Sequence, residues 1–151
     1  MADATKYPVG IQDFEKIRTE GYVYVDKTAQ IGRLVDSGCS YFLSRPRRFG
    51  KSLLLSTLAA YFEGRRDLFE GLAIAEQARE WPEEHPVLSL DLGGQTYSGP
   101  ESLTEILDNH LSVWERRYGA DPTERSPARR FWGVIRRAFE RRRRQVVILI
   151  D

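Results

Sequence analysis

The chain has 151 residues, of which 41% are hydrophobic and 30% are charged, and its formal net charge is +1. This size and composition predict one globular domain with its own core, and the near-zero charge argues against a dedicated nucleic-acid or membrane binder. No apolar run approaches the roughly 20 residues of a membrane span, the N-terminus lacks a signal-peptide pattern and Cys39 is the single cysteine, so we expect a cytoplasmic protein.

The first half of the chain alternates short apolar segments with turn residues, after an irregular start over residues 1–7. The predicted elements are, in order, a helical turn over 11–17, a strand over 22–25, a helix that opens at Asp26–Thr28 and stops at Gly38, a strand over 39–43, and a buried helix over 53–62 that ends at Gly64.

The second half repeats this alternation of strands and helices. A strand is predicted over 87–92, and Ser98 to Glu101 has capping-box spacing before an amphipathic helix that ends near Gly119. Ser126-Pro127 opens a last helix, and residues 146–150 read as a buried strand closed by Asp151. This order predicts an α/β fold with a parallel sheet and helical crossovers.

The segment from Ser44 to Ser52 carries the strongest functional signal, because it lies between a predicted strand and a predicted helix. It reads Ser-Arg-Pro-Arg-Arg-Phe-Gly-Lys-Ser. Gly50 lets the backbone turn so that N–H groups point at phosphate oxygens, Lys51 reaches the outer phosphates, and the Ser52 hydroxyl ligates Mg²⁺. The segment therefore predicts a P-loop that binds nucleotide phosphates at a helix N-terminus.

The match to the P-loop pattern is incomplete, because Arg45 stands where the pattern has its first glycine. The alternative is that Gly50-Lys51-Ser52 only opens a helix after a basic turn.

Two acidic residues follow predicted strands. Asp151 closes an apolar, β-branched run, at the strand end where open α/β sheets bind ligands. This predicts the Walker B role, in which the carboxylate supports a Mg²⁺ held by Ser52. Asp91 ends the other strand, where it either positions Mg²⁺ or an attacking water, or caps the next turn.

Arginine clusters supply two further candidates. For Arg47 and Arg48, a role at the nucleotide or in shaping the loop is favoured over nucleic-acid binding. The last predicted helix either binds nucleic-acid phosphates or presents a solvated face, and the solvated face is favoured. Its arginines are Arg129, Arg130, Arg136, Arg137, Arg141, Arg142, Arg143 and Arg144. We expect Cys39, His85 and His110 to be structural.

Several segments carry a resemblance to a known family. They are Gly10-Ile11-Gln12-Asp13-Phe14, the run Gly21 to Thr28, the run Tyr41 to Leu58, Ala60 to Gly64 and Leu68 to Leu72. With these segments the chain resembles the bacterial AAA-ATPase-like domain proteins, specifically over its first half and more loosely from His85 onward. The resemblance also accounts for Arg45, since family members carry the Arg-Pro-Arg-Arg-Phe-Gly-Lys-Ser form.

The resemblance implies an ATP-binding P-loop domain of the AAA-like (ASCE) branch that uses ATP and Mg²⁺. Residues 1–40 would be a lead-in and residues 41–151 an incomplete P-loop core. The implied nucleotide residues are Arg45, Pro46, Arg47, Arg48, Phe49, Gly50, Lys51, Ser52 and Leu53, and the implied Mg²⁺ residues are Ser52 and Asp151. By fold-level analogy Tyr24, Asp26 and Lys27 lie where such proteins touch adenine. Members are often larger, with a C-terminal segment that resembles PD-(D/E)XK nucleases.

The sequence departs from the family after the Walker B strand. Members continue with a Glu, the expected base for the attacking water, whereas this sequence ends at Asp151. The strand that lies between the P-loop and Walker B strands, the sensor arginine and the lid are missing too. We therefore expect a truncated domain that binds nucleotide without efficient turnover and exposes an aggregation-prone edge at 146–150.

The predicted function is ATP binding and, in the complete protein, hydrolysis that drives a conformational change in an attached effector. The alternative is a non-hydrolysing nucleotide switch or interaction module whose Arg-rich helix binds nucleic acid or a protein. A third hypothesis is a small-metabolite kinase, which needs an acceptor pocket and a lid. The sequence leaves the oligomeric state open.

Overall fold

The computed structural model describes residues 6–38, 40–77, 81–93 and 99–151, and it divides the chain into two compact units, residues 1–83 and 84–151. The elements of the first unit are α1 (Phe14–Thr19), α2 (Ala29–Ser37), α3 (Lys51–Phe62), a 3-10 turn (Arg66–Phe69) and α4 (Ala73–Gln77). Those of the second are β1 (Val87–Leu90), α5 (Pro100–Tyr118), α6 (Pro127–Arg142) and β2 (Val147–Ile150). The predicted boundary at residue 40 falls inside the first unit and stays a prediction.

The first unit has an aromatic core that supports α1 and α3. Phe14 and Phe69 are fully buried, with their ring centroids 4.8 Å apart. Trp81 packs on Phe69 and on Tyr61 of α3, at 5.1 Å in each case. Burying rings of this size accounts for most of the favourable energy of such a core. The core therefore fixes α3, the helix that begins at the predicted P-loop.

The second unit is a two-stranded parallel sheet covered by two helices. β1 and β2 pair in register from Val87 with Val147 to Leu90 with Ile150. α5 and α6 pack on one face of this sheet around a core of Leu88, Leu111, Trp114, Tyr118, Val134 and Ala138. The predicted parallel pairing and α/β class are confirmed here. The aggregation-prone edge stays a prediction.

The helix ends in this unit follow the capping signals of the sequence. The Ser126 hydroxyl accepts the N–H of Arg129 at 3.3 Å, and Pro127 occupies the first turn of α6. Gly119 ends α5 with a φ of 101°, and its N–H reaches the carbonyl oxygen of Glu115 at 2.7 Å. The predicted capping box at Ser98 lies outside the described residues, as does Cys39.

Two predicted strands of the first unit are wrong. Residues 40–43 are not in a strand, and Phe42 is 94% exposed. Residues 22–25 form only an isolated bridge between Lys6 and Tyr22. An apolar run becomes a strand when a neighbouring backbone accepts and donates its hydrogen bonds, and no described strand pairs with residues 40–43.

The helical spacing of apolar residues also predicts that Leu103 and Phe139 face inward, and both of these predictions are wrong. Leu103 of α5 is 41% exposed and Phe139 of α6 is 46% exposed. Both helices pack on one side only, so side chains at the margins of their apolar stripes stay in solvent. No helix among the described residues is long and apolar enough to cross a membrane.

Candidate functional site

The predicted P-loop forms a tight turn directly before α3. All residues from 41 to 50 are exposed, and α3 begins at Lys51. Gly50 caps the helix with φ 75° and ψ 25°, a left-handed conformation that glycine adopts at no steric cost. Its carbonyl oxygen accepts the N–H of Leu54 at 2.9 Å, which closes the first helical turn. The loop therefore ends, and α3 begins, at the residues that the sequence predicts for phosphate binding.

The sign of φ alternates along this loop. Arg48 has a φ of 66°, Gly50 has a φ of 75°, and the intervening Phe49 and the preceding Arg47 have no positive φ. Anion-binding nests form where right-handed and left-handed residues alternate, and the positive φ of Arg48 and Gly50 matches the left-handed positions of that pattern. Arg48 bears a steric cost of about 1–2 kcal/mol for the left-handed conformation.

The N-terminus of α3 offers uncapped amide groups. The first N–H groups of an α-helix have no partner inside the helix. No side chain caps α3 in the described part of the chain, and its first turn has no acidic residue. The positive end of the helix dipole therefore faces the loop without a carboxylate to neutralise it.

Lys51 turns back over the loop. Its ammonium donates a hydrogen bond of 2.9 Å to the carbonyl oxygen of Arg45, the first residue of the predicted site. This bond links the two ends of the loop and uses only the backbone of residue 45. A single bond to one carbonyl leaves the ammonium with two further donors.

Ser56 and Thr57 tie α3 to the rest of the first unit. The Ser56 hydroxyl accepts the N–H of Phe14 at 2.9 Å and lies 3.0 Å from the carbonyl oxygen of Gln12. Thr57 is 1% exposed; it bonds the carbonyl oxygen of Leu53 within α3 at 2.7 Å and also the Tyr24 hydroxyl outside the helix. The sequence-based reasoning missed both roles, although two adjacent hydroxyls inside the apolar run Leu-Leu-Leu-Ser-Thr-Leu were a visible signal.

Two of the three residues that the analogy places near adenine, Tyr24 and Asp26, form hydrogen bonds within the first unit. Burial raises the pKa of the Tyr24 hydroxyl, which also bonds Thr57. Asp26 accepts the N–H of Ala73 at 2.7 Å and the hydroxyl of Thr28 at 2.7 Å. Desolvation raises the pKa of Asp26, but these hydrogen bonds together outweigh it and hold the pKa below its ordinary value. Lys27 is exposed, and an adenine contact of any of the three stays a prediction.

Asp91 and Asp151 lie at the carboxyl ends of neighbouring strands. The ladder continues past β2, because the N–H of Asp151 donates to Leu90 at 2.9 Å and the N–H of Leu92 donates to Asp151 at 3.1 Å. Asp91 caps its turn, accepting the N–H of Gly93 at 2.8 Å. Both carboxylates belong to exposed residues, and in the described part of the chain no group of three or more His, Cys, Asp or Glu is arranged to hold a metal ion.

Several arginines of the last helix are engaged in ion pairs. Arg130 binds Glu115 through two bonds of 2.8 and 2.7 Å and also contacts Asp108, which joins α6 to α5. The hydrogen bond from Arg130 holds the pKa of Glu115 below its ordinary value. The remaining pairs are Arg136 and Arg137, both with Glu124, and Arg142 with Glu84. These contacts occupy Arg130, Arg137 and Arg142 with carboxylates, while nucleic-acid binding and a solvated face of the helix both stay predictions. His85 and His110 bond backbone oxygens of Gln145 and Asp91.

Comparison with known proteins identifies a family and a similar sequence. A family model described as AAA-ATPase_like, "Predicted AAA-ATPase", matches residues 8–151. The chain is 42% identical over 147 residues to a protein of Azotobacter chroococcum mcd 1 described as "Uncharacterized protein in vnfD 5'region". That alignment covers 97% of this chain and 28% of the relative, so the chain spans less than a third of the relative's length. No solved structure matches.

Proposed function

Because the chain belongs to the predicted AAA-ATPase family, we propose that residues 45–53 bind the phosphates of ATP and that Ser52 ligates the accompanying Mg²⁺. The observation that carries this proposal is the position of Lys51. It is the first residue of α3, and its ammonium lies against the backbone of a loop whose φ angles alternate in sign.

The proposed binding rests on backbone groups more than on side chains. The amides of the loop and of the first turn of α3 surround the phosphates, and the helix dipole adds a partial positive charge at the same point. Lys51 would neutralise the outer phosphates, and Ser52 would hold a Mg²⁺ whose charge offsets their mutual repulsion. Arg45 contributes through its carbonyl oxygen, which explains why a side chain is tolerated where other P-loops have glycine.

Whether the bound nucleotide is hydrolysed is a question about the longer protein. Since the relative is more than three times as long as the matched segment, hydrolysis and an attached effector are proposals about the whole protein. There, attack of water on the γ-phosphorus would drive a conformational change. The non-hydrolysing switch is the alternative, and phosphate release from Mg·ATP by the full-length protein separates the two.

The binding proposal is tested by calorimetric titration of the chain with ATP, with and without Mg²⁺. We expect Mg²⁺-dependent binding that Lys51→Ala weakens by more than about tenfold, the loss typical of one charge-assisted phosphate contact. Lys16→Ala is the matched control, because Lys16 is an exposed lysine on α1. Ser52→Ala should reduce the dependence on Mg²⁺ more than the binding itself.

Two outcomes contradict the proposal. One is a folded wild-type chain that binds no ATP at millimolar concentration. The other is equal affinity in Lys51→Ala and Lys16→Ala, which means that residues 45–52 are only a basic turn before a helix.

A further inference from the structure

The two helices of the second unit carry opposite charge over most of their length. From Pro100 to Glu115, α5 contains four acidic residues and no Lys or Arg. From Pro127 to Phe139, α6 contains four arginines and no Asp or Glu. Both helices cover the same face of the sheet around one core, so their outer faces lie on the same side of the unit.

Charged residues recur at the same spacing on these outer faces, with the signs exchanged. On α5, Glu105 precedes Arg116 by eleven residues, and on α6, Arg129 precedes Glu140 by eleven residues. Eleven residues make about three helical turns, or about 16 Å, so the two charges of each helix lie on one side of it. All four residues are exposed, and none forms an ion pair with a residue that the structure describes.

Exposed apolar side chains lie between these charges. Trp132 and Phe139 of α6 are 69% and 46% exposed, and Val113 of α5 is 55% exposed. Burying such side chains against a partner removes apolar area from water, and tryptophan is among the residue types that contribute most to binding at protein interfaces. The outer faces of α5 and α6 therefore complement each other in charge and in apolar surface.

We propose that these two faces bind each other in a dimer of two copies of the chain, with α5 of one copy against α6 of the other. When the two helices lie side by side in the same direction, Glu105 meets Arg129 and Arg116 meets Glu140. A two-fold axis forms each of these contacts twice, because the same surface serves both copies. The ion pairs fix the alignment of the helices, and Trp132 supplies the buried apolar contact between them.

Sedimentation equilibrium of the 151-residue chain tests this dimer. We expect the wild type to show a reversible equilibrium between monomer and dimer. Arg129→Glu places two carboxylates opposite each other and should raise the dissociation constant by about 100-fold or more. Trp132→Ala should raise it by about 30-fold. Because the Trp132 side chain is largely exposed, circular dichroism of this variant should show an unchanged helix content.

An exchange of charges identifies the two surfaces that meet. Glu105→Arg alone should weaken the dimer as Arg129→Glu does. The combination of both substitutions should return the dissociation constant to within about tenfold of the wild-type value, because opposite charges again face each other. Arg66→Glu reverses an exposed charge on the 3-10 turn of the first unit and serves as the control, with a dissociation constant within about threefold of the wild type.

Three results overturn the proposal. A folded wild-type chain that stays monomeric at every accessible concentration shows that the two faces do not bind each other. A double variant that dimerises as weakly as its parent single variants shows that Glu105 and Arg129 do not meet. Species larger than a dimer that form equally in the wild type and in Arg129→Glu show association through another surface, such as the strand edge at 146–150.

Discussion

Gly133→Ala is expected to destabilise the second unit, although alanine is the better helix former. A Cβ built at Gly133 of α6 would lie 2.0 Å from Oε1 and 2.1 Å from Oε2 of Glu124. That carboxylate is therefore seated directly on the helix backbone, and Arg137 holds it there through bonds of 2.9 and 3.0 Å. The side chains of Glu124 and Arg137 are only 12% and 16% exposed. A methyl group at position 133 must expel the carboxylate.

The size of the loss follows from the ion pair and not from the clash. The end of a glutamate side chain moves easily, so the cost is that of leaving Arg137 and Glu124 without each other, about 3 kcal/mol for a nearly buried pair. Alanine returns about 1 kcal/mol of helix propensity. We therefore expect a net loss of about 2 kcal/mol in the free energy of unfolding, measured by urea denaturation.

Gly32→Ala in α2 is the matched control. No atom lies within 4 Å of a Cβ built at Gly32, so the same substitution should stabilise the chain by up to about 1 kcal/mol. In a Glu124→Ala background, Gly133→Ala should no longer lower the free energy of unfolding, because the obstructing carboxylate is gone. Gly133→Ala that is as stable as the wild type would refute the reasoning.

Two further predictions concern the first unit. Ser56→Ala should cost about 1–2 kcal/mol of stability in urea denaturation, because it leaves the N–H of Phe14 without its acceptor. The control Ser37→Ala removes an exposed local hydrogen bond and should cost less than about 0.5 kcal/mol. Equal losses in the two variants would contradict the role of Ser56 in holding α3 to Phe14. Asp26 has a lowered pKa, so its carboxylate contributes stability above the ordinary value of 3.8 that is lost as the pH falls through the folded-state pKa. Asp26→Asn should therefore be less stable at pH 7 and should flatten the pH dependence of stability below about pH 4; a parallel curve for the variant would exclude this role.

The candidate site was largely predictable because its signals are local. Gly50, Lys51 and Ser52 fix the turn and the start of α3, and these groups are adjacent in the sequence. The pairing of the Lys51 ammonium with the Arg45 carbonyl was not predicted, since it depends on how the loop closes on itself. Nucleotide binding at these residues remains a prediction until it is measured.

Contacts between distant residues could not be read from the sequence. Ser56 meets Phe14 across 42 positions, and Glu124 reaches Arg137 and Gly133 only because a loop folds back on α6. The apolar run at 40–43 shows the same limit, since its composition favours a strand but gives no neighbour with which to pair.

The sequence by itself predicted the helices α2, α3, α5 and α6 and the Ser126 cap of α6, because helical hydrogen bonds and capping contacts join residues a few positions apart. Only the tertiary structure decided which apolar runs became strands, the register of Val87 with Val147, and which arginines form ion pairs with carboxylates. Strand pairing and ion pairs join groups that the sequence separates widely, so they depend on the folded arrangement of the whole unit.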